Sequence, residues 1–219
     1  MLDSPIPSAP ATLYARVVKR VADLVASIVL LVLLAPVMAI VAAAVRLALG
    51  PPVLYRDERA GLGGRPIRIA KFRSMSDATD TSGLPLPDSA RLGAFGRFLR
   101  RTSLDELPQL VSVLRGDMSL IGPRPLPMRY VPRYSARQAV RLLVRPGLSG
   151  WAQVNGRNAV AWPERLELDV RYVEMLDRAT APLTDLWIVI LTAFQMVSQA
   201  ITGRGISAPG TATMQEFAP

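Results

Sequence analysis

The sequence predicts a mainly α-helical protein with one small β-hairpin, in which a re-entrant membrane helix-break-helix and interfacial amphipathic helices accompany a compact cytosolic domain. Three observations predict it: a long apolar stretch with basic residues at both ends, several segments with apolar residues at helical spacing, and one pair of strand-like runs separated by glycines. The 219 residues are enough for one domain with a buried core. We therefore divide the chain into a tail (1–20), a membrane segment (21–50) and a main domain (51–219).

The membrane segment contains no charged residue from Leu24 to Val45. At ~1.5 Å per residue, a straight helix of that length would cover ~33 Å, which is enough for the hydrocarbon core of a bilayer. Pro36 interrupts the stretch, and a proline inside a helix removes a hydrogen bond and kinks it. Basic residues flank both ends, and basic flanks favour the cytoplasm. We prefer a hairpin that enters and leaves by one face, with a single spanning helix as the alternative.

The main domain begins with a predicted hairpin, Val53–Tyr55 and Pro66–Phe72, and continues as a series of helices. The last helix contains a run of twelve mostly apolar residues, which is too short to span a membrane, so we expect it to be buried or interfacial. The predicted helices are Arg91–Arg101, Leu107–Arg115, Val131–Val144, Trp162–Leu176 and Asp185–Ile201.

Composition restricts the chemistry that the protein can perform. The chain has neither Cys nor His, which excludes disulfides, zinc–thiolate sites and catalysis by Ser–His or Cys–His pairs. The 26 basic residues outnumber the 17 acidic ones, and most of the excess lies in residues 91–145. Such a field suits phosphates, whether of a nucleotide, an anionic lipid or a nucleic acid.

Two adjacent carboxylates, Asp105 and Glu106, lie within this basic segment. A structural interpretation is that Ser103 and Glu106 form a capping box, although Pro108 would then cost a hydrogen bond inside the helix. A chemical interpretation is that an ionised Asp attacks phosphorus while a neighbouring Glu holds Mg²⁺ and arginines bind the phosphate charge. Both interpretations are compatible with the spacing.

Several long motifs, in order, resemble the small monotopic phosphoglycosyl transferases, also called bacterial sugar transferases. The likeness extends from about Arg20 to Phe217. The motifs are Lys71–Met75 (KFRSM), Gly96–Arg100 (GRFLR), Thr102–Leu110 (TSLDELPQL), Gly116–Pro125 (GDMSLIGPRP), Arg145–Asn158 (RPGLSGWAQVNGRN) and Glu167–Tyr172 (ELDVRY).

The resemblance implies that residues 51–219 transfer a phosphosugar from a UDP-sugar to undecaprenyl phosphate, release UMP and initiate assembly of a surface glycan. It implies a two-step reaction through a phosphosugar-aspartyl enzyme, at the cytoplasmic face of the bacterial inner membrane, in contact with membrane lipids and without nucleic acid. Asp105 would be the nucleophile and Glu106 the ligand of a Mg²⁺ cofactor. The implied substrate-binding residues are Lys71, Arg100, Arg124, Arg157 and Asp169.

Each of these assignments has a simpler alternative. Lys71 could be a surface base, and Asp169 could pair with Arg165 or Arg171 on its own helix. The family often has Ser before the membrane proline, whereas this chain has Ala35 before Pro36. For the whole chain, the alternatives are a membrane-tethered nucleic-acid binder and a non-catalytic membrane scaffold.

Overall fold

The structure is a computed structural model that describes residues 9–155, 160–202 and 217. A π-helical turn, Tyr14–Val18, continues into the long helix α1, and shorter helices form most of the remainder. The α-helices are α1 (Lys19–Leu49), α2 (Asp88–Arg91), α3 (Ala94–Arg101), α4 (Leu110–Arg115), α5 (Ala136–Ala139), α6 (Trp151–Val154), α7 (Trp162–Met175) and α8 (Ala181–Thr202). The 3₁₀ helices are Leu62–Gly64, Leu104–Gln109, Met128–Arg133 and Val140–Leu143. The strands are β1 (Leu54–Ala60), β2 (Pro66–Phe72), β3 (Ser119–Ile121) and β4 (Gly147–Ser149).

Helix α1 continues through Pro36 without a break. The middle of the helix exposes its apolar side chains: Val32 is 69% and Ile40 is 70% exposed. Buried positions occur only towards the two ends, such as Asp23 and Val45. A bend that returns the chain to the same membrane face therefore stays a prediction.

Both ends of α1 contact the same domain. Near the beginning of the helix, Arg20 donates hydrogen bonds to the carbonyls of Val113 (2.7 Å) and Leu114 (3.0 Å) in α4. Near its end, Val45 is fully buried in a cluster that includes Phe72 of β2. The contacts of α1 therefore join α4, which directly follows the 3₁₀ helix Leu104–Gln109, to the hairpin.

The predicted hairpin is confirmed, and its first strand is longer than expected. Strands β1 and β2 pair antiparallel from Leu54↔Phe72 to Ala60↔Pro66, which places Lys71 opposite Tyr55. The backbone N–H of Ala60 also donates to the carbonyl of Leu126, 2.9 Å away. These pairings fix Lys71 relative to the loop that follows β3.

Strands β3 and β4 form a second, parallel sheet that the sequence analysis did not predict. The two chains come so close that a Cβ atom on Gly147 would lie 2.0 Å from the backbone nitrogen of Gly122. Only glycine permits this approach, and a strand pair of three residues each gives too weak a pattern for recognition from sequence.

The predicted basic helix Val131–Val144 is wrong as a single element. Residues 128–143 instead form two 3₁₀ helices separated by the short helix α5, with Pro132 inside the first of them. Tyr134 and Ser135 have extended backbone between the first 3₁₀ helix and α5, and the side chain of Ser135 accepts from the backbone N–H of Gln138 to begin a new helix. The predicted helix Trp162–Leu176 is confirmed as α7 within one residue.

Helix α8 has one packed face and one exposed face. Ile188 is fully buried in a cluster with Ile121 and Tyr172, whereas Phe194 is 70% exposed. The helix is longer than its predicted apolar run of twelve residues. In the described part of the chain, two helical segments are long and apolar enough to cross a membrane, Tyr14–Leu49 and Ala181–Gln199.

Candidate active site

The candidate site is a small polar pocket at the junction of β1, β2, the 3₁₀ helix Leu104–Gln109, the loop after β3 and β4. Strand β2 contributes Lys71, the 3₁₀ helix contributes Glu106, and the loop after β3 contributes Arg124. The residues that line the pocket are Arg59, Ile69, Lys71, Glu106, Gln109, Arg124, Pro125, Gly147 and Leu148. Three of them are cationic and one is anionic, so the pocket is suited to an anion.

The carboxylate pair Asp105 and Glu106 lies in the 3₁₀ helix, which begins at Leu104, three residues before the predicted helix Leu107–Arg115. The capping-box interpretation is wrong, because the side chain of Ser103 makes no capping hydrogen bond. Ser103 has a φ of 56°, in the left-handed region, and is the one described non-glycine residue with a positive φ. Such backbone strain costs about 1–3 kcal/mol and is concentrated at functional sites. The 3₁₀ geometry also accommodates Pro108.

Glu106 is held by two cations. The Nζ of Lys71 lies 2.6 Å and an Nη of Arg124 lies 2.9 Å from the same carboxylate oxygen, Oε1. Burial alone would raise the pKa of Glu106, but the charges and hydrogen bonds of Arg124 and Lys71 outweigh it and hold that pKa well below its usual range. Glu106 is therefore an anion at neutral pH.

The pKa of Asp105 shifts in the opposite direction. Its side chain is buried, and burial together with the adjacent Glu106 charge raises its pKa to about 6, although Lys71, Arg100 and Arg124 act in the other direction. The sequence predicts an ionised Asp in a basic segment, but burial outweighs the effect of the basic residues on its pKa. Asp105 still ionises near neutral pH, and no ion pair with a residue in the described ranges occupies its oxygens.

Arg100 and Arg101 are neighbours with different surroundings. The Nε of Arg100 lies 3.0 Å from Ser74 Oγ, and its charge lowers the pKa of Asp105. The guanidinium of Arg101 lies 6.0 Å from the ring centroid of Phe98, whose side chain is 44% exposed. Arg100 therefore lies near enough to Asp105 for its charge to act on that carboxyl, while Arg101 lies beside an exposed apolar ring.

Asp169 lies behind the pocket rather than in its lining. It forms a buried ion pair with Arg141, in which an Nη of Arg141 lies 2.8 Å from Oδ2 of Asp169. Arg141 also donates to the backbone carbonyl of Arg124 at 2.6 Å. The alternative pairing with Arg171 on the same helix is not formed, since Arg171 pairs with Glu167. Asp169 thus holds Arg141, which in turn holds the backbone of Arg124.

Arg141 is a functional residue that the sequence analysis missed. It is one of many arginines in a basic segment, and nothing in its local sequence distinguishes a buried arginine from a surface one. The remaining predicted substrate-binding residue, Arg157, lies outside the described residues.

The carboxylates of the site are compatible with Mg²⁺. Within the described ranges no group of three or more Asp or Glu side chains could hold a metal ion. Mg²⁺ is, however, usually held by one or two carboxylates together with substrate phosphates and water. The two cations that contact Glu106 both use Oε1, so the donor set fits a Mg²⁺ that arrives with a phosphate-bearing substrate.

Comparison with known proteins assigns the family. The family described as bacterial sugar transferase matches residues 14–199. The uncharacterized sugar transferase EpsL of Bacillus subtilis (strain 168) is 46% identical over 173 residues, which cover 79% of this chain and 82% of EpsL. The UDP-glucose:undecaprenyl-phosphate glucose-1-phosphate transferase of Escherichia coli (strain K12) is 39% identical over 69% of this chain. The UDP-N-acetylgalactosamine-undecaprenyl-phosphate N-acetylgalactosaminephosphotransferase of Aeromonas hydrophila is 36% identical over 74% of this chain.

The chain aligns with only part of the last two relatives, 34% and 38% of their lengths. The family match nevertheless covers most of this chain and includes the hairpin, the carboxylate pair, the loop after β3 and α7. These matches, together with the pocket that the same segments form, show that the chain belongs to the bacterial sugar transferase family.

Proposed function

We propose that the protein transfers a phosphosugar from a UDP-sugar to undecaprenyl phosphate, releases UMP and thereby initiates assembly of a surface glycan. The observation that carries the proposal is the pairing of a buried carboxylate, Asp105, with a neighbour, Glu106, that is clamped by Lys71 and Arg124. The names of two relatives describe transfer of a sugar phosphate to undecaprenyl phosphate.

The first chemical step is attack by a carboxylate oxygen of Asp105 on the phosphorus bonded to the sugar. A bond forms between Asp105 and phosphorus, the bond from phosphorus to the bridging oxygen breaks, and UMP leaves with that oxygen and its electron pair. Lys71 and Arg124 lie where they would offset the negative charge of the phosphates. Asp105 is suited to this attack because it ionises near neutral pH and no ion pair occupies it.

In the second step, an oxygen of undecaprenyl phosphate attacks the same phosphorus and displaces the Asp105 carboxylate. The products are undecaprenyl-diphosphate-sugar and the free enzyme. Because the attacking phosphate is already an anion, neither step requires a strong general base. A chain without His can therefore perform this chemistry through positioning and charge neutralisation.

Glu106, with Asp105 beside it, would hold the Mg²⁺ that accompanies the diphosphate. A bound Mg²⁺ supplies charge neutralisation to phosphoryl oxygens and to the departing group. The contacts of Lys71 and Arg124 keep Glu106 ionised, which is the form that a Mg²⁺ ligand needs.

We further propose that α1 is re-entrant and that the domain lies on the cytoplasmic face of the bacterial inner membrane. Both ends of α1 contact the one domain, and its exposed middle contains Pro36. The basic residues at both flanks favour the same face. This arrangement would bring the pocket close to the headgroup of a lipid substrate.

The test is UMP release by the full chain in detergent or nanodiscs, with Mg²⁺, undecaprenyl phosphate and a panel of UDP-glucose, UDP-galactose and UDP-N-acetylgalactosamine. With the right UDP-sugar and no lipid, we expect one equivalent of UMP per enzyme and a phosphosugar on the peptide that contains Asp105. Asp105→Asn should abolish both, whereas Asp177→Asn, at an exposed carboxylate, should retain them.

Three results would contradict the proposal in whole or in part. UMP release that requires the lipid, or that persists in Asp105→Asn, would exclude the covalent route. Salt-sensitive nucleic-acid binding without release of UMP from any UDP-sugar would instead favour a membrane-tethered nucleic-acid binder.

A further inference from the structure

Gln109 lies in the pocket but has no assigned role. It is the last residue of the 3₁₀ helix, three positions after Glu106 and four after Asp105, so it lies within about one helical turn of the carboxylate pair. Gln109 is only 2% exposed to solvent, yet it lines the same pocket as Lys71 and Arg124.

The amide nitrogen of Gln109 has no hydrogen-bond partner, although it is buried. Five buried side-chain atoms in the described part of the chain lack a partner, and two of them, Gln109 Nε2 and Arg59 Nε, belong to residues that line this pocket. Buried donors are almost always satisfied in folded proteins. Two unsatisfied donors at one pocket therefore indicate that a ligand supplies the acceptors.

The surroundings identify the chemistry of that acceptor. The polar groups that line the pocket are Arg59, Lys71, Arg124 and Gln109, with Glu106 as the one carboxylate. Glu106 Oε1 already accepts from two cations, so it does not satisfy the amide of Gln109. A pocket with several donors and few acceptors suits an oxyanion better than a sugar, whose hydroxyls need acceptors as well as donors.

The position of Gln109 selects one oxyanion among those of the substrate. The group that must lie beside Asp105 in both chemical steps is the transferred phosphoryl group, which in the donor is the phosphate bonded to the sugar. We propose that Gln109 is a substrate-binding residue that donates a hydrogen bond through Nε2 to a non-bridging oxygen of this phosphoryl group. This inference rests on the proposed function for the identity of the substrate.

The test compares UMP with UDP, because UDP contains the second phosphate and UMP does not. In the full-length Gln109→Met enzyme, with Mg²⁺ held constant, we expect UDP to bind about tenfold more weakly, which corresponds to about 1.4 kcal/mol, and UMP to bind within twofold of wild type. The KM for the UDP-sugar should rise together with the Kd for UDP. The ligand-free variant should melt no lower than wild type, because Met removes an unpartnered polar group from a buried position.

The matched control is Gln138→Met, the same substitution at a capping residue of α5. It should leave the affinities for UMP and UDP unchanged. If Gln109→Met does not fold, Gln109→Asn shortens the side chain but keeps the amide, and it should show the same selective loss of UDP affinity.

Four results would overturn the inference. Equal loss of UMP and UDP affinity with a lower melting temperature would assign a structural role, and a loss confined to the UDP-sugar would place the contact on the sugar. Unchanged UDP affinity, or loss of UMP affinity alone, would remove the contact. These binding measurements do not depend on turnover, so a wild-type enzyme that binds UDP but releases no UMP from any UDP-sugar would refute the proposed function separately.

Discussion

The buried ion pair between Asp169 and Arg141 provides the sharpest prediction, because its effects on stability and on activity should separate. Both side chains are nearly inaccessible, at 2% and 3% exposure. Arg141 donates to Asp169 Oδ2 through Nε (3.1 Å) and an Nη (2.8 Å), and to the carbonyl of Arg124 at 2.6 Å. Removing one partner of such a pair leaves a buried charge without compensation.

The expected magnitude follows from that burial. Loss of one partner from a buried pair costs about 3–5 kcal/mol. For a chain of this size, 1 kcal/mol lowers the melting temperature by ~2–4 °C. Arg141→Met and Asp169→Leu should therefore each melt roughly 6–20 °C below wild type, because each leaves the charge of its partner buried and unpaired.

The double variant Asp169→Leu, Arg141→Met removes both charges. Its melting temperature should fall by much less than the sum of the two single losses, since apolar replacement of both partners of a buried ion pair is often neutral. Its activity should stay low, because Arg124 loses its backbone contact in either case. The assay is thermal unfolding followed by tryptophan fluorescence, beside UMP release. Glu167→Gln, at a half-exposed ion pair on the same helix, is the control and should cost no more than about 1 kcal/mol. Additive melting shifts, or a double variant with wild-type activity, would refute the reasoning.

The remaining predictions concern the metal, the membrane segment and its attachment. Glu106→Gln should cut turnover sharply and weaken the Mg²⁺ response without unfolding the protein, and full activity at low Mg²⁺ would contradict the assignment. Cys probes at Ala11 and Leu62 in this Cys-free chain should both resist a periplasm-only thiol reagent, while labelling of the first alone would establish a spanning helix. Replacing Pro36 by Leu should shift the population towards spanning. Arg73→Met should lower the free energy of unfolding by about 1–3 kcal/mol, because Arg73 donates to the backbone carbonyls of Gly50 and Pro51 just after α1. A melting temperature equal to that of the wild type would exclude this role.

The parts of the site that the sequence predicts are those carried by contiguous motifs. Lys71, Arg124 and the pair Asp105–Glu106 lie in separate motifs of the family, and the structure brings them together in one pocket or beside it. Arg100 also lies near enough to lower the pKa of Asp105, and its role in substrate binding stays a prediction. The residues of a contiguous motif can be identified from the sequence alone, without knowledge of the fold.

The parts that the sequence does not predict depend on contacts between distant segments. Arg141 and Asp169 are 28 residues apart in the chain, and their pairing depends on how the segment before β4 packs on α7. The pKa of Asp105 depends on burial, which no local pattern reports. The role of Gln109 required knowledge that its amide has no partner. These features are consequences of packing, which a single sequence does not determine by inspection.

The electrostatics of the site explain why the two adjacent carboxylates can differ in role. Glu106 forms ion pairs with both Lys71 and Arg124, so it remains an anion despite its burial. Its fixed charge then acts with burial to raise the pKa of Asp105, whose oxygens stay free of ion pairs. Arg124 is central to this division, because its side chain clamps Glu106 while its backbone carbonyl is held by Arg141, and Arg141 by Asp169. The placement of cations thus gives the two carboxylates different properties: Lys71 and Arg124 keep Glu106 ionised, whereas the pKa of Asp105 is raised. This difference is the one that the proposed division into nucleophile and metal ligand requires.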